Sequence, residues 1–261
     1  MIQPKILVAT PTFDGMKYCI NEFLDRIRSL TYPLYDILIV DNSRDDSFFI
    51  ELKKEKGITV VKDNCTEERN VMRLISSRNK ILEYAIENNY DYILMMDSDV
   101  IPPKNVIEEL LSCKKDIVSG LYYNYFICDG GPKLMSVCWR SITPDEFEEM
   151  NRLSPFPPII KSHLDVRRAL FKEEAESNEL FQVFLPSSGC MLVSRPVFEK
   201  VKYGLLQLES NMMSSDDIYF IQKAREIGFE PYCYTKVKCD HLVFGKYVKD
   251  SSGSLKHPFR L

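Results

Sequence analysis

The sequence predicts an α/β protein with a mostly parallel central sheet flanked by helices, and a smaller, less regular part after it. Three observations lead there. In the first half, short apolar runs alternate with segments whose apolar residues recur at helical spacing, the pattern of strands joined by helical crossovers. The runs are too continuously apolar to have one face in water, which marks strands covered on both faces. Three of them end in polar clusters, Thr10-Pro11-Thr12, Asp41-Asn42-Ser43 and Asp97-Ser98-Asp99. Open α/β sheets bind ligands beyond the carboxyl ends of their strands, so these clusters would converge along one edge.

Each element has its own warrant. Residues 5–13 (KILVATPTF) form an apolar run ending in turn residues and predict a strand. Ile20, Phe23, Leu24, Ile27 and Leu30 recur at helical spacing within 16–30. Residues 35–43 predict a second strand, 48–56 a helix, 58–63 a strand and 66–89 a long helix. YDYILMMDSD is the next strand, NVIEELLSC the next helix, and 116–126 another strand. Beyond it the signals weaken. Residues 133–140 predict a strand; 143–180, rich in charge and proline, predict a mobile excursion or acceptor-side insert. Residues 181–201 predict strand, turn, strand and the start of a helix. Residues 214–228 form an amphipathic helix led by Ser and Asp, an N-cap signature. Residues 231–242 are a final strand ending in Asp240-His241. The 261 residues are taken as one domain, with about 1–126 and 127–261 as its halves.

Composition narrows the function. With 34 basic against 38 acidic residues, the net charge of −4 supplies no global field for nucleic acid. The eight cysteines include no CxxC pair and several sit in apolar runs, which suits reduced thiols rather than disulfides or a zinc site. No apolar stretch approaches the roughly 18 residues of a membrane span, and the N-terminus lacks a signal-peptide pattern. The expected location is cytoplasmic.

The stretch YILMMDSDVIPP carries the chemistry. An apolar run meets Asp97 and Asp99, separated only by Ser98, before Pro102 and Pro103. In an extended strand, residues two apart share a side, so both carboxylates can face one point while Ser98 faces away. Two close carboxylates repel; a divalent cation removes that cost, since Mg2+ and Mn2+ take oxygen ligands. The plain alternative makes both aspartates turn and cap residues before the following helix.

DYILMMDSDVIPP resembles the DxD segment of the GT-A fold glycosyltransferases, which transfer sugars from nucleotide sugars and are built on a Rossmann-like sheet. The resemblance extends along most of the chain. KILVATPTF is similar to the family's first strand and nucleotide-contacting turn, ILIVDNS to its second strand, and SSRNKILEYA to the helix before the DxD strand. SSGCMLVSRPVFEKV resembles the glycine-containing acceptor-side strand, and SSDDIYFIQKAREIGFEPYCYTKVKCDH the late segment with an acidic pair and a His.

The resemblance implies roles. Thr10, Pro11 and Thr12 would line the base, Asp41 would meet the uracil or ribose, and Arg78 the nucleotide or its phosphates. Asp97 would contact the nucleoside and join the metal set. Ser98, the middle residue, counts with the nucleotide-sugar-binding positions although strand alternation turns it away. Asp99 and His241 would ligate Mn2+ (or Mg2+) bridging the diphosphate of a UDP- or GDP-sugar; the imidazole favours Mn2+. Asp217 would be the general base of an inverting transfer and Asp216 an acceptor binder, with helix capping as the plain alternative. The pair departs from the usual Glu-Asp, and LESNMMSS replaces the bulky segment often found before it. A nucleotidyltransferase is the main rival, but ATPTFDGMKY has one glycine where a glycine-rich phosphate loop would stand. A non-catalytic nucleotide-binding module is the other. The acceptor and oligomeric state are not legible.

Overall fold

The computed structural model describes residues 3–128, 131–158, 160–206, 215–243 and 259–261. Strands β1 (Ile6–Thr12), β2 (Tyr35–Asp41), β3 (Thr59–Lys62) and β4 (Tyr92–Met96) alternate with helices α1 (Ile20–Ile27), α2 (Ser47–Leu52) and α3 (Asn70–Glu87). The two-residue strand β5 (Val100–Ile101), helix α4 (Val106–Ser112) and strand β6 (Ile117–Leu121) follow. A hairpin, β7 (Tyr123–Cys128) with β8 (Gly131–Ser136), leads to β9 (Trp139–Ser141), α5 (Pro144–Leu153), β10 (Arg167–Ala169) and α6 (Lys172–Glu176). The chain then returns through β11 (Leu180–Gln182), β12 (Cys190–Ser194), α7 (Arg195–Phe198), α8 (Asp216–Glu226), β13 (Pro231–Lys238), β14 (Asp240–Val243) and β15 (Phe259–Arg260).

Eight strands form the main sheet in the order β11-β13-β6-β12-β4-β1-β2-β3. Neighbours pair in parallel from β3 through β2 and β1 to β4; β12 is antiparallel to both β4 and β6, and β13 runs parallel to β6. Alternation along each strand divides the core into two layers. Ile6, Val8, Ile39, Leu94 and Met96 face one side, packed by Phe23, Leu24 and Ile27 of α1 and Val106, Ile107 and Leu110 of α4. Leu7, Ala9, Leu38, Val40, Ile93 and Met95 face the other, packed by Ile81, Leu82 and Ala85 of α3 and Phe220, Ile221 and Ala224 of α8. Helices on both faces are what continuously apolar strands require.

Three sequence expectations change. The strand over 116–126 divides at Tyr122: β6 is wholly buried, whereas β7 is half exposed and leaves the sheet as a hairpin. Its aromatic residues read as a buried run although they cover a surface ribbon. The final strand also divides. After a register shift within β13, β14 joins β5 in a small separate sheet, where His241 stands opposite Val100. The excursion over 143–180 is built rather than loose. A capping box between Thr143 and Glu146 starts α5, β10 pairs with β9, and Arg168 joins Glu146 of α5 to Glu174 of α6 at 2.7 and 2.6 Å. The charges that suggested disorder are matched to one another.

All eight cysteines are free, five of them buried. Among the described residues no helix is long and apolar enough to cross a membrane.

Candidate functional site

The carboxyl ends of β1, β2 and β4 open into a cavity of about 300 Å3. Pro11, Thr12, Phe13 and Met16 supply one wall, and Asn70, Val71, Arg73, Leu74 and Arg78 of α3 the opposite one. Asn42 closes one end; Asp97, Ser98 and Asp99 line the floor. The Phe13 ring can lie where it does because residue 15 is glycine: a Cβ there would stand 2.2 Å from the Phe13 Cε2.

The DxD segment is not extended. Strand β4 ends at Met96, and the Val100 amide bonds back to the Asp97 carbonyl at 3.0 Å, a turn. Strand alternation therefore does not apply, and Ser98 lines the same cavity as its neighbours, its hydroxyl 3.3 Å from that of Thr12. The two aspartates part company. Asp97 Oδ1 accepts from Arg78 Nη2 at 3.0 Å, while Asp99 Oδ2 lies 3.5 Å from His241 Nε2. Neither serves as a side-chain cap of α4.

Arg78 is the hub. It is 3% exposed, and its Nη1 donates to Asp216 Oδ2 at 2.6 Å. Burial opposes its charge, but Asp216 and Asp97 outweigh that and hold the guanidinium protonated. Burial likewise pushes the Asp97 carboxyl up; Arg78 pulls it down, Asp99 adds repulsion, and the net shift is upward. Gly189 makes this close packing possible, since a Cβ there would meet the Tyr122 hydroxyl at 2.7 Å and Asp97 Oδ2 at 2.8 Å. The Gly189 carbonyl accepts the Asp97 amide at 3.0 Å, tying the β12 turn to the DxD turn. Asn79, beside Arg78, clasps the Tyr203 backbone instead of facing the cavity.

The acidic pair at the start of α8 also divides. Asp216, expected as an acceptor binder, is 5% exposed and ion-paired with Arg78. Asp217 is half exposed. Its Oδ2 accepts from Ser188 Oγ at 3.2 Å, and its Oδ1 from the Ser215 hydroxyl and the Ile218 amide. A carboxylate offers about four acceptor positions, so Asp217 keeps capacity for a further donor. Ser215 caps α8 without a side-chain bond.

Two residues expected at the nucleotide are turned inward. Asp41 is fully buried, bonded to Ser43 and, at 2.9 Å, to Lys62 Nζ; its neighbour Asn42 reaches the cavity in its place. Thr10 is fully buried below the cavity, its hydroxyl without a partner among the described residues. Pro11 and Thr12 are on the wall. Phe13, Met16, Asn70 and Arg73 line the cavity without having stood out in the sequence. Arg73 is the most informative: Nη2 donates to Asn70 Oδ1 at 2.7 Å, Nε is buried without a partner, and it forms no ion pair among the described residues. Its placement five residues before Arg78 on a predicted helix was the available signal.

No group of three or more His, Cys, Asp or Glu side chains suited to a metal ion occurs among the described residues. Asp99 and His241 alone nevertheless fit one. Their 3.5 Å separation is one that two ligands about 2.1 Å from a shared ion can span. The His241 Nδ1 stands 2.9 Å from the Tyr123 carbonyl, leaving Nε2 toward Asp99, the outer hydrogen bond usual behind a ligating imidazole. Burial opposes the charged ring, but Asp99 outweighs it and holds the pKa above the ordinary 6.5. Asp97, given to Arg78, is not part of this pair. His257 and most of LESNMMSS lie outside the described residues; His163 stands in the insert, in a short 3-10 turn.

The sequence matches the family model described as "Glycosyl transferase family 2" over residues 7–202. No curated protein matches it. Among solved structures, it resembles the mannosyltransferase PcManGT from Pyrobaculum calidifontis in complex with GDP-Man and Mn2+, with TM-score 0.54 and 16% identity, over 94% of this chain and 59% of that one. It resembles GalNAc-T7 with UDP, GalNAc and Mn2+ at TM-score 0.57 and 12% identity, over 91% of this chain and 44% of that one. S. aureus TarS 1-349 in complex with UDP-GlcNAc gives 0.50 and 14%, over 90% and 57%. These likenesses concern the fold, and the chain spans little more than half of those proteins, or less.

Proposed function

The chain belongs to glycosyl transferase family 2, and on that footing we propose that it moves a sugar from a UDP- or GDP-sugar to an acceptor hydroxyl, with inversion at the anomeric carbon. The observation that carries this reading is the cavity at the carboxyl ends of β1, β2 and β4, which combines apolar walls suited to a base with the DxD turn as its floor. The nucleotide-bound relatives support the choice of donor, and two of them also carry Mn2+.

Each residue then has a task. Pro11, Phe13, Met16 and Val71 enclose the base, with Thr12, Asn42 and Ser98 as polar contacts. Asp99 and His241 would hold Mn2+ (or Mg2+), which when bound supplies positive charge to the departing diphosphate. Arg78 does not spend its charge on the donor; it fixes Asp97 and Asp216. Asp217 accepts the proton of the acceptor hydroxyl as that oxygen attacks the anomeric carbon opposite the diphosphate. Its hydrogen bonds to Ser188, Ser215 and the Ile218 amide hold the carboxylate in place.

The test is a panel of UDP- and GDP-sugars incubated with Mn2+ and no acceptor. At least one should be slowly hydrolysed to the nucleoside diphosphate. General-base catalysis contributes about 10²–10⁴-fold, so Asp217→Asn should lower kcat by that order with donor affinity unchanged. Hydrolysis of none, with nucleotide still bound, would leave the non-catalytic nucleotide-binding module.

A further inference from the structure

The end of the cavity closed by Asn42 discriminates between donors and acceptors. Asn42 follows β2 directly, and its amide bonds to the Thr12 carbonyl at 2.9 Å, so its side chain starts from a fixed point on the cavity lining. An asparagine carboxamide has two different ends, an oxygen that accepts and an NH2 group that donates. Whichever end enters the cavity decides what can bind there.

The residues behind Asn42 fix that choice. Asn42 Nδ2 lies 3.0 Å from Ser77 Oγ on α3, and Ser77 Oγ lies 2.8 Å from Asp63 Oδ2. All three residues are buried. Asp63, just after β3, accepts from the Ser76 hydroxyl at 3.0 Å through its other oxygen, and Lys80 Nζ stands 3.8 Å away. An ionised carboxylate only accepts, and a serine has a single hydroxyl proton to give. The Ser77 proton therefore goes to Asp63. Ser77 Oγ is left to accept, and the group that faces it must be the Asn42 NH2. With the carboxamide reversed, Asn42 Oδ1 would meet an oxygen that has no proton left, and two buried acceptors would stand unpaired. The relay from Asp63 through Ser77 thus turns Asn42 Oδ1 toward the cavity. That oxygen bonds nothing among the described residues, in a cavity whose apolar lining includes Pro11, Phe13 and Val71.

We infer that Asn42 selects the base of the bound nucleotide and that the base is uracil. The pairing edge of uracil carries one ring N–H, at N3, and Oδ1 accepts it. Cytosine at N3 and adenine at N1 have a bare lone pair instead, which would face the lone pairs of Oδ1. Guanine carries two adjacent donors, N1–H and its 2-amino group. The paired oxygens of a carboxylate would match both, whereas a carboxamide answers one. The carboxylate next in sequence, Asp41, is turned away to Ser43 and Lys62. That the uridine diphosphate belongs to a sugar donor rests on the transferase reading above; the uracil site itself does not.

Calorimetric titration of UDP, GDP, CDP and ADP into the full chain with Mn2+ should find UDP the tightest. The 3-methyluridine diphosphate, which has a methyl group in place of the N3 proton, should bind wild type about tenfold more weakly than UDP, as expected when one buried hydrogen bond is left unmade. Asn42→Ala removes the acceptor and makes room for the methyl group, so it should bind the two uridine nucleotides about equally. Asn42→Asp supplies a second oxygen and should shift the UDP-to-GDP affinity ratio about tenfold toward GDP. Ser77→Ala frees the carboxamide to turn, and its UDP-to-CDP ratio should move toward CDP, a change that loosened structure alone would not produce. Melting temperatures check that the variants fold, and the methylated nucleotide tests wild type with no substitution at all. No saturable binding of UDP, equal binding of UDP and its methylated form by wild type, GDP or CDP bound as tightly as UDP, or an Asn42→Ala protein that still separates the two uridine nucleotides would overturn the uracil site. The expected pattern in a chain that hydrolyses no UDP-sugar would instead refute the transferase reading alone.

Discussion

Two regions rich in charge, the insert over 143–180 and the cavity at the carboxyl ends of β1, β2 and β4, treat their charges differently. In the insert, Arg168 is bonded to both Glu146 and Glu174, and Glu174 also takes Arg140. Every charge in that cluster is answered from within, and the helices α5 and α6 are held against β9 and β10 as a result. In the cavity the deep pair is closed in the same way, with Arg78 between Asp97 and Asp216. The groups nearer the opening are not. Arg73 has an orphan Nε and no ion pair among the described residues, and Asp99 lies 3.5 Å from the His241 imidazole without a Lys or Arg partner among them. Closed networks fix a structure; open ones await a ligand. That difference, more than the presence of charge, separates scaffold from site.

The largest break in the comparison should come from Arg78→Met. It leaves Asp97 and Asp216 without their cation, and removing one partner of a buried ion pair costs about 3–5 kcal/mol. A large fall in melting temperature, with loss of donor binding, is the expected result; an unchanged melting temperature would mean the network is not structural. Next is Arg73→Gln, which should weaken UDP or GDP binding about tenfold with no change in melting temperature. Affinity equal to wild type would show that Arg73 does not face the donor.

Arg168→Gln sharpens the contrast from the other side. It should cost on the order of 1 kcal/mol of stability while donor affinity, measured by calorimetry, stays the same. The smallest effect is the pH dependence of the metal-free protein. The His241 pKa lies above its ordinary 6.5 when folded, so the Asp99–His241 attraction is fully present below the unfolded value and is lost as pH rises through the folded one. His241→Gln should remove that component from a melting-temperature profile between about pH 5 and pH 8. Metal affinity should run the opposite way and improve with rising pH, because only the neutral ring ligates. A mutant profile parallel to wild type would return His241 to a structural role.

Much of the first half was legible because burial and backbone geometry both leave period-two and helical patterns in a sequence. Each strand from β1 to β4 and the long helix α3 follow from apolar runs such as ILIVD and from helical spacing. Pro11, Thr12, Asp97 and Asp99 follow from where those runs stop. What failed was direction. Ser98 faces the cavity because the strand ends at Met96, before the Asp97–Asp99 segment that alternation assumed to be extended. Asp41 and Asp216 turn inward to Lys62 and Arg78, partners 21 and 138 residues distant in sequence. No local pattern encodes such pairings. The insert looked loose in sequence for the same reason, since its capping box is local but its Arg168 bridges are not. The juxtaposition of His241 with Asp99 depends on β14 leaving the main sheet for β5, which the continuous strand pattern of 231–242 concealed.

Donor binding turns most on whether the DxD turn holds a diphosphate through a divalent cation at Asp99 and His241. Calorimetric titration of UDP and of GDP into the full chain, with Mn2+ and then with excess chelator, tests it directly. At least one nucleotide should bind with Mn2+ and lose most of its affinity with chelator, and Asp99→Asn should bind it as weakly with the metal as without. Equal affinity in the presence and absence of Mn2+, or an Asp99→Asn protein that still responds fully to the metal, would contradict the account.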